Sequence, residues 1–162
     1  MKDTTTKRRV LFPVDASDHS ERAVKWYLEF ASRTEDYLCL FHSIDTSGAV
    51  PMMAMGAPGA FPVASVEALI EEKKNEAKQL KTKFDTLLES SGIKGEFIIS
   101  NKHAHAGEAV VHACKDHNID HVIMGNRGQG IVRRTFLGST SDYVLHHAHV
   151  PITIIPPVKA EE

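Results

Sequence analysis

Five short apolar runs alternate with amphipathic segments along this chain, and few architectures accommodate that order. The runs read RRVLFPV, YLCLFHSI, GEFIIS, DHVIMG and PITIIP. Each is nearly continuous in apolar residues, which is typical of strands buried on both faces. Parallel strands joined by right-handed helical crossovers form an open, doubly wound sheet. The sequence therefore predicts an α/β fold with a five-stranded parallel sheet and helices on both faces.

The segments between the runs carry apolar residues at helical spacing. They predict helices over about 18–33, 66–92, 107–118 and 139–148. Asp18 with Glu21 offers a capping box for the first helix, and Gly92 is expected to end the second. Ser139, with Asp142 three residues later, is the expected N-cap of the last helix.

The length of 162 residues predicts a single domain over 1–162. A formal net charge of -2 provides no overall basic field for nucleic acid or an anionic membrane. No apolar stretch approaches the roughly 18 residues of a membrane span, and the amino terminus lacks a signal-peptide core. We expect a cytoplasmic protein that binds neither nucleic acid nor membrane.

Cysteines and histidines give no sign of a cross-link or a metal. Cys39 and Cys114 lie among apolar neighbours, which favours two buried free thiols over a disulfide. The histidines in HHAH and HAH lack the spacing of a zinc site, so we expect surface histidines and no metal.

A long insertion, residues 46–65, separates the second strand from its helix and is rich in Gly, Pro, Ala and Met. Loops of this length in compact domains are either disordered or act as lids. Both a mobile loop and a lid or partner-binding segment remain open.

A glycine-rich loop follows the fourth strand, with the spacing G-x2-G-x9-G-S from Gly125 through Gly128 to Gly138 and Ser139. Ligands of doubly wound sheets bind outside the carboxyl ends of the strands, where this loop begins. Glycine lets a ligand approach the backbone, and a helix N-terminus favours phosphate. The loop also carries Arg127, Arg133 and Arg134. These features favour a polyphosphate site, although the glycines could instead only shape turns and the arginines could be solvated.

The segments VLFPVDAS, MGNRGQG and LGSTSDYVLHHAHVPITII resemble the universal stress protein family. Within that family they resemble the subgroup whose G-x2-G-x9-G-S/T signature marks ATP binding. The resemblance covers about residues 8–157. It implies a Rossmann-like sheet with strand order 3-2-1-4-5 and a homodimer through the C-terminal strand, Val150–Pro156.

The same resemblance implies an adenine-nucleotide site that takes ATP, with or without Mg²⁺. Adenine and ribose would contact the ends of the first two strands, and the phosphates would contact the glycine-rich loop. Family members often carry an aliphatic residue where Ser43 stands, but a backbone contact there would survive. The implied site residues are Pro13, Val14, Asp15, Ala16, Ser43, Met124, Gly125, Arg127, Gly128, Gly138, Ser139 and Thr140.

Three functions stay open on sequence alone. The first is an ATP-dependent sensor or regulator in the stress response. The second is a slow ATPase or phosphotransferase that uses Asp15, Gln129 and Mg²⁺, although the loop from Asn126 to Thr140 holds no carboxylate or histidine to act on water. The third is a nucleotide-free dimeric interaction module. Asp15 itself could contact nucleotide, hold Mg²⁺ through water, or cap the turn after the first strand.

Overall fold

The computed structural model describes residues 7–44, 63–103, 105–126 and 137–157, with the backbone alone for 63–66. Strands and helices alternate through these ranges, as the apolar runs predict. The elements are β1 (Arg9–Pro13), α1 (Asp18–Phe30), β2 (Tyr37–Ser43), α2 (Val63–Ser91), β3 (Gly95–Ser100), α3 (Ala106–Asp116), β4 (His121–Gly125), α4 (Ser139–His147) and β5 (Ile152–Ile155).

The five strands form one parallel sheet in the order β3-β2-β1-β4-β5. This confirms the expected fold and strand order. The central strand, β1, aligns Leu11 with Cys39 on one side and with Val122 on the other. Because all strands run the same way, the segments that follow them meet at one edge, called here the carboxyl edge.

Alternate residues of each strand supply two separate core layers. In β2, Leu38 and Leu40 pack under α1 and α2, whereas Cys39 and Phe41 pack under α3 and α4. Both sides of the strand are therefore apolar, which explains its continuous apolar run. The first layer also includes Val10, Phe12, Val24, Tyr27, Phe84 and Ile123, and the second includes Leu11, Val110, Ala113, Cys114, Val122, Met124 and Val144.

Two helix caps lie one residue before the expected positions. Helix α1 is capped by Ser17, whose side chain accepts from the Ser20 amide, so Asp18 is the first helical residue and the expected capping box is wrong. Helix α4 is capped by the backbone of Gly138, so Ser139 lies inside the helix. In each pair both residue types are good caps, and the backbone conformation decides between them.

Helices α1 and α2 also differ in length from the sequence prediction. Helix α1 ends at Phe30 with Ala31 as its C-cap, and the chain then turns at Arg33, whose carbonyl accepts from the Asp36 amide at 3.0 Å. Helix α2 begins at Val63, three residues earlier than expected, and so takes in the end of the 46–65 insertion. The rest of that insertion lies outside the described residues. Gly92, with φ at +68°, ends α2 as expected.

Cys39 and Cys114 are buried free thiols, which confirms the prediction for both. Among the helices of the described ranges, none is long and apolar enough to cross a membrane.

Candidate functional site

The turn after β1 is held by its own polar side chains. Asp15 accepts from the Ser17 amide at 3.0 Å and from the Ser17 hydroxyl, both on Oδ1. Ser20 is buried, and its hydroxyl donates to the carbonyl of Asp15 at 2.8 Å. One carboxylate oxygen of Asp15 therefore caps the turn, as one of the three sequence interpretations expects.

The ends of β1 and β2 are joined directly at the carboxyl edge. The amide of Val14 donates to the carbonyl of Phe41 at 2.9 Å. On the α1 and α2 side, Nδ1 of His42 lies 2.8 Å from the carbonyl of Val14. These contacts hold the backbone in place at the ends of β1 and β2.

The two ends of the glycine-rich loop are tied together at the start of α4. The amide of Gly138 donates to the carbonyl of Asn126 at 2.9 Å, and the amide of Asn126 donates to Ile155 of the neighbouring strand at 3.1 Å. The hydroxyl of Ser141 is buried and donates to the carbonyl of Gly125 at 3.2 Å. The hydroxyl of Ser141 therefore bonds the first residue of the glycine-rich loop and is not a free hydroxyl.

The first turn of α4 presents backbone donors that the helix itself cannot satisfy. The first helical hydrogen bond runs from Asp142 to Gly138 at 2.8 Å. The amides of Ser139, Thr140 and Ser141 precede it and have no carbonyl one turn back. Among the described residues, no side chain caps this end. Three amides and the positive end of the helix dipole therefore lie together at the carboxyl edge, an arrangement that favours an anion.

A cleft of about 300 Å³ lies where the N-termini of α3 and α4 meet. It brings Ser139 and Thr140, the first two residues of α4, beside the carboxylate of Glu108 and the imidazole of His105, both from the segment after β3. Neither of the latter two residues belongs to the glycine-loop pattern. This segment follows a strand of the same parallel sheet, so the rule that places ligands at strand ends could have found it. The lining residues are His105, Ala106, Gly107, Glu108, Ser139, Thr140 and Tyr143.

Glycine is needed at position 125 because the backbone of α1 approaches closely there, on the face of the sheet opposite the cleft. A Cβ added there would lie 2.8 Å from the carbonyl oxygen of His19, in the first turn of α1. The missing side chain therefore lets α1 pack on the end of β4. This packing need accounts for the first glycine of the loop without any ligand.

The structure brings most of the sequence-predicted site residues to the carboxyl edge. Pro13 and Ser43 end β1 and β2, Met124 and Gly125 end β4, and Gly138 is the N-cap of α4. The residues between β1 and α1 and in the first turn of α4 complete this group; they are Val14, Asp15, Ala16, Ser139 and Thr140. Arg127, Gly128, Gln129, Arg133 and Arg134 lie outside the described residues.

Some histidines in the described ranges stack on other rings. His103 stacks on His112 with ring centroids 4.3 Å apart, and His147 stacks on Tyr143 at 4.1 Å. Within the same ranges, no group of three or more His, Cys, Asp or Glu side chains could hold a metal ion.

Curated proteins with similar sequences are universal stress proteins. The chain is 28% identical over 156 residues to one from Mycolicibacterium smegmatis, covering 96% of this chain and 50% of that protein. It is 27% identical over 156 residues to the universal stress protein MJ0577 of Methanocaldococcus jannaschii, covering 91% of this chain and 94% of that one. The chain thus spans about half of the first relative and nearly all of the second.

Solved structures share the fold. The structure of the Methanocaldococcus jannaschii protein MJ0577 matches with a TM-score of 0.74 at 21% identity, covering 96% of this chain and 99% of that one. An Arabidopsis thaliana universal stress protein family protein with AMP bound matches at 0.62 and 18% identity, covering 92% and 91%. A universal stress protein in complex with cAMP matches at 0.54 and 19% identity, covering 93% and 98%.

The family model described as "Universal stress protein family" matches residues 7–156, which include every strand of the sheet and both ends of the glycine-rich loop. The chain belongs to the universal stress protein family.

Proposed function

We propose that this chain binds an adenine nucleotide, ATP with or without Mg²⁺, at the carboxyl edge of β1, β2 and β4 and acts as a nucleotide-dependent sensor or regulator. The observation that carries the proposal is the first turn of α4, where the amides of Ser139, Thr140 and Ser141 have no intrahelical acceptor. Two structural neighbours support the ligand class, since one carries AMP and the other cAMP.

The base and sugar would lie over the ends of β1 and β2. Val14 and Phe41 hold these ends together through a 2.9 Å backbone hydrogen bond, so the surface that faces the ligand is rigid. The phosphates would bond to the amides of α4 and to the residues that the family resemblance implies in the glycine-rich loop. When bound, Mg²⁺ would neutralise phosphate charge, and Asp15 in the turn after β1 would hold it through water.

Substitution of Ser139 by proline tests the role of the amides. Ser139 is the first residue of α4, the position at which proline is well tolerated because its missing N–H has no helical partner. Gly138, with φ at -65° and ψ at 150°, already has the conformation that precedes proline. Ser139→Pro should therefore fold normally but lose a phosphate donor.

Ser139→Ala is the matched control, since it removes the hydroxyl and keeps the amide. We expect the proline variant to bind ATP about tenfold more weakly than the alanine variant in a calorimetric titration, with equal thermal midpoints in the absence of nucleotide. Equal affinities in the two variants would contradict a role for this amide.

Slow hydrolysis of ATP is a second candidate, and the cleft favours it. Glu108 and His105 lie in the same cleft as Ser139 and Thr140, so a carboxylate is available to orient water near the proposed phosphate position. If this activity exists, Glu108→Gln should abolish phosphate release while leaving the affinity for ATP within about twofold. Phosphate release that is unaffected by this substitution would exclude Glu108 from the reaction.

A homodimer through β5 is also proposed. This strand is at the end of the sheet order, and the carbonyls of Pro151 and Ile155 point towards β4. The backbone groups of Ile152 and Ile154 therefore point outwards, where a second copy could pair with them. Ile154→Pro removes one outward amide and should shift the protein to monomer in light scattering, whereas Ile154→Val should not. A dimer that persists in the proline variant would place the interface elsewhere.

A further inference from the structure

Among the described residues, the buried side-chain oxygen atoms that lack a hydrogen-bond partner are Oδ1 of Asn126 and Oγ of Ser43. Buried polar atoms almost always have partners, because leaving one without a hydrogen bond is unfavourable. A hydroxyl can donate or accept, whereas an amide oxygen can only accept. The Asn126 atom therefore restricts the chemistry of a partner more tightly, since that partner must be a hydrogen-bond donor.

Asn126 lies at the carboxyl edge, on the face of the sheet that carries the cleft between α3 and α4. It directly follows β4, and Met124, two residues earlier, packs in the layer under those helices. As a residue Asn126 is partly exposed. The side chain is therefore at the border between the core and the proposed nucleotide site.

The backbone of Asn126 is held on both sides. Its amide donates to the carbonyl of Ile155 at 3.1 Å, and its carbonyl accepts from the amide of Gly138 at 2.9 Å. Gly138 is the N-cap of α4, so the second bond fixes Asn126 beside the free amides of that helix. Little backbone ordering is then needed when a ligand binds, which favours affinity.

An adenine nucleotide offers two kinds of donor to an unpaired acceptor. They are the amine of the base and the hydroxyls of the ribose, because the oxygen atoms of an ionised phosphate only accept. In the proposed site the phosphates lie against the amides of Ser139 and Thr140, next to Asn126. The ribose is attached directly to the phosphates, whereas the amine is at the far end of the base. The ribose hydroxyls are therefore the donors that match Oδ1.

We propose that Asn126 is a specificity-determining residue that selects ribonucleotides over deoxyribonucleotides, with Oδ1 accepting a hydrogen bond from a ribose hydroxyl. A ligand without that hydroxyl leaves the buried oxygen unpaired, and a site built to bond a hydroxyl rejects an analogue that lacks it. This inference rests on the proposed function, since it assigns a group within the same site. The glycine-loop pattern includes the neighbours Gly125 and Arg127 but gives no role to Asn126.

The test compares ATP with dideoxy-ATP, which lacks both ribose hydroxyls, in calorimetric titrations. The quantity measured is the ratio of the two dissociation constants within each protein, so effects common to both ligands cancel. The unsubstituted protein should bind ATP about tenfold more tightly than dideoxy-ATP, which is about 1.4 kcal/mol. In Asn126→Ala the preference should fall below about twofold, because the acceptor is gone.

Asn126→Asp is the matched variant, since it replaces the amide nitrogen and keeps an acceptor oxygen at the same position. Its negative charge should weaken the binding of both triphosphates, but the preference for ATP should stay near tenfold. Asn75→Ala is the control for asparagine replacement elsewhere. Asn75 is exposed on α2, where its Oδ1 accepts from Lys78, and its loss should leave both affinities unchanged.

Three results would overturn this role for Asn126 while leaving the nucleotide site in place. One is equal affinity of the unsubstituted protein for ATP and dideoxy-ATP, and another is a full preference for ATP that survives in Asn126→Ala. The third is loss of the preference in Asn126→Asp as well as in Asn126→Ala, which would show a disturbed loop end instead of a missing acceptor. If the unsubstituted protein binds neither ligand, the proposed function fails, and this inference fails with it.

Discussion

The amide of Gly138 donates a 2.9 Å hydrogen bond to the carbonyl of Asn126, so the glycine-rich loop leaves and returns to the sheet at one point. This contact places the free amides of α4 directly against the end of β4. The nucleotide site proposed at this loop therefore depends on the backbone hydrogen bond between Asn126 and Gly138, which lie at opposite ends of the loop.

Gly138→Val should remove nucleotide binding and leave the fold intact. Gly138 has φ at -65° and ψ at 150°, a conformation that valine adopts readily, so no backbone strain is expected. Loss of a glycine N-cap should cost about 1 kcal/mol or less of unfolding free energy. The new side chain would stand where phosphate approaches the α4 amides, so calorimetry should detect no ATP binding. Binding within about twofold of the unsubstituted protein would contradict this position for the phosphates.

Gly125→Ala should lower the stability of the protein through packing. The added Cβ would lie 2.8 Å from the oxygen and 3.0 Å from the carbon of the His19 carbonyl, and this backbone can yield only if α1 shifts. Overpacking of this kind costs about 1–3 kcal/mol. Denaturant unfolding should show a loss in that range, with an unchanged dependence on denaturant concentration. An unchanged denaturant midpoint would mean that the backbone of α1 does not approach Gly125 as closely as this structure shows.

Asp36 should make stability fall in acid. Its carboxylate, 2% exposed as a residue, accepts from Nε of Arg8 at 2.7 Å and from a terminal guanidinium nitrogen at 2.6 Å, and also from the hydroxyl of Tyr27. Burial alone would raise the pKa of this carboxyl, but the hydrogen bonds from Arg8 and Tyr27 outweigh it and hold the pKa below its ordinary value.

Because the pKa of Asp36 is lowered on folding, its contribution is present above about pH 4 and is lost as the pH falls further. Asp36→Asn should therefore lower the unfolding free energy by about 1.5–3 kcal/mol at pH 7, with a smaller difference at pH 3. Glu35→Gln, at the exposed neighbouring residue, should change stability at neither pH. A deficit in Asp36→Asn that is the same at pH 7 and pH 3 would exclude the ion pair as its cause.

The two thiols should resist labelling in the folded protein. Burial raises the pKa of Cys39 and of Cys114 to about 11. Only about one thiol in a thousand is then ionised at pH 8, and the thiolate is the reactive form. Ellman's reagent at pH 8 should therefore detect no thiol in native protein and two in denaturant, or one in Cys114→Ser. Rapid labelling of native protein would contradict the burial of these side chains.

The parallel sheet could be predicted because apolar runs alternate with amphipathic segments, whereas the strand order was implied only by the resemblance to the universal stress protein family. The helix caps could not be placed to the residue, because Ser17 and Asp18 are both good caps and local sequence does not set their backbone angles. The burial of Ser141 could have been predicted, since Ser141 lies on the same helical face as Val144 and Ala148.

The parts of the site that the sequence did not predict depend on contacts between distant segments. Glu108 and His105 reach the cleft because α3 packs beside α4, so the strand-end rule would have placed their segment at the carboxyl edge but not beside Ser139 and Thr140. The missing partners of Ser43 and Asn126 are likewise visible only once the surrounding strands are in place.

The most direct test of the nucleotide site is the thermal midpoint of nucleotide-stripped protein with and without Mg-ATP at a hundredfold excess over Kd. Binding should add about 2.7 kcal/mol to the unfolding free energy. For a chain of this length that is a rise of roughly 5–10 °C, and Gly138→Val should abolish it. No rise in the unsubstituted protein at millimolar Mg-ATP would contradict the nucleotide site and favour a dimeric interaction module that works without nucleotide.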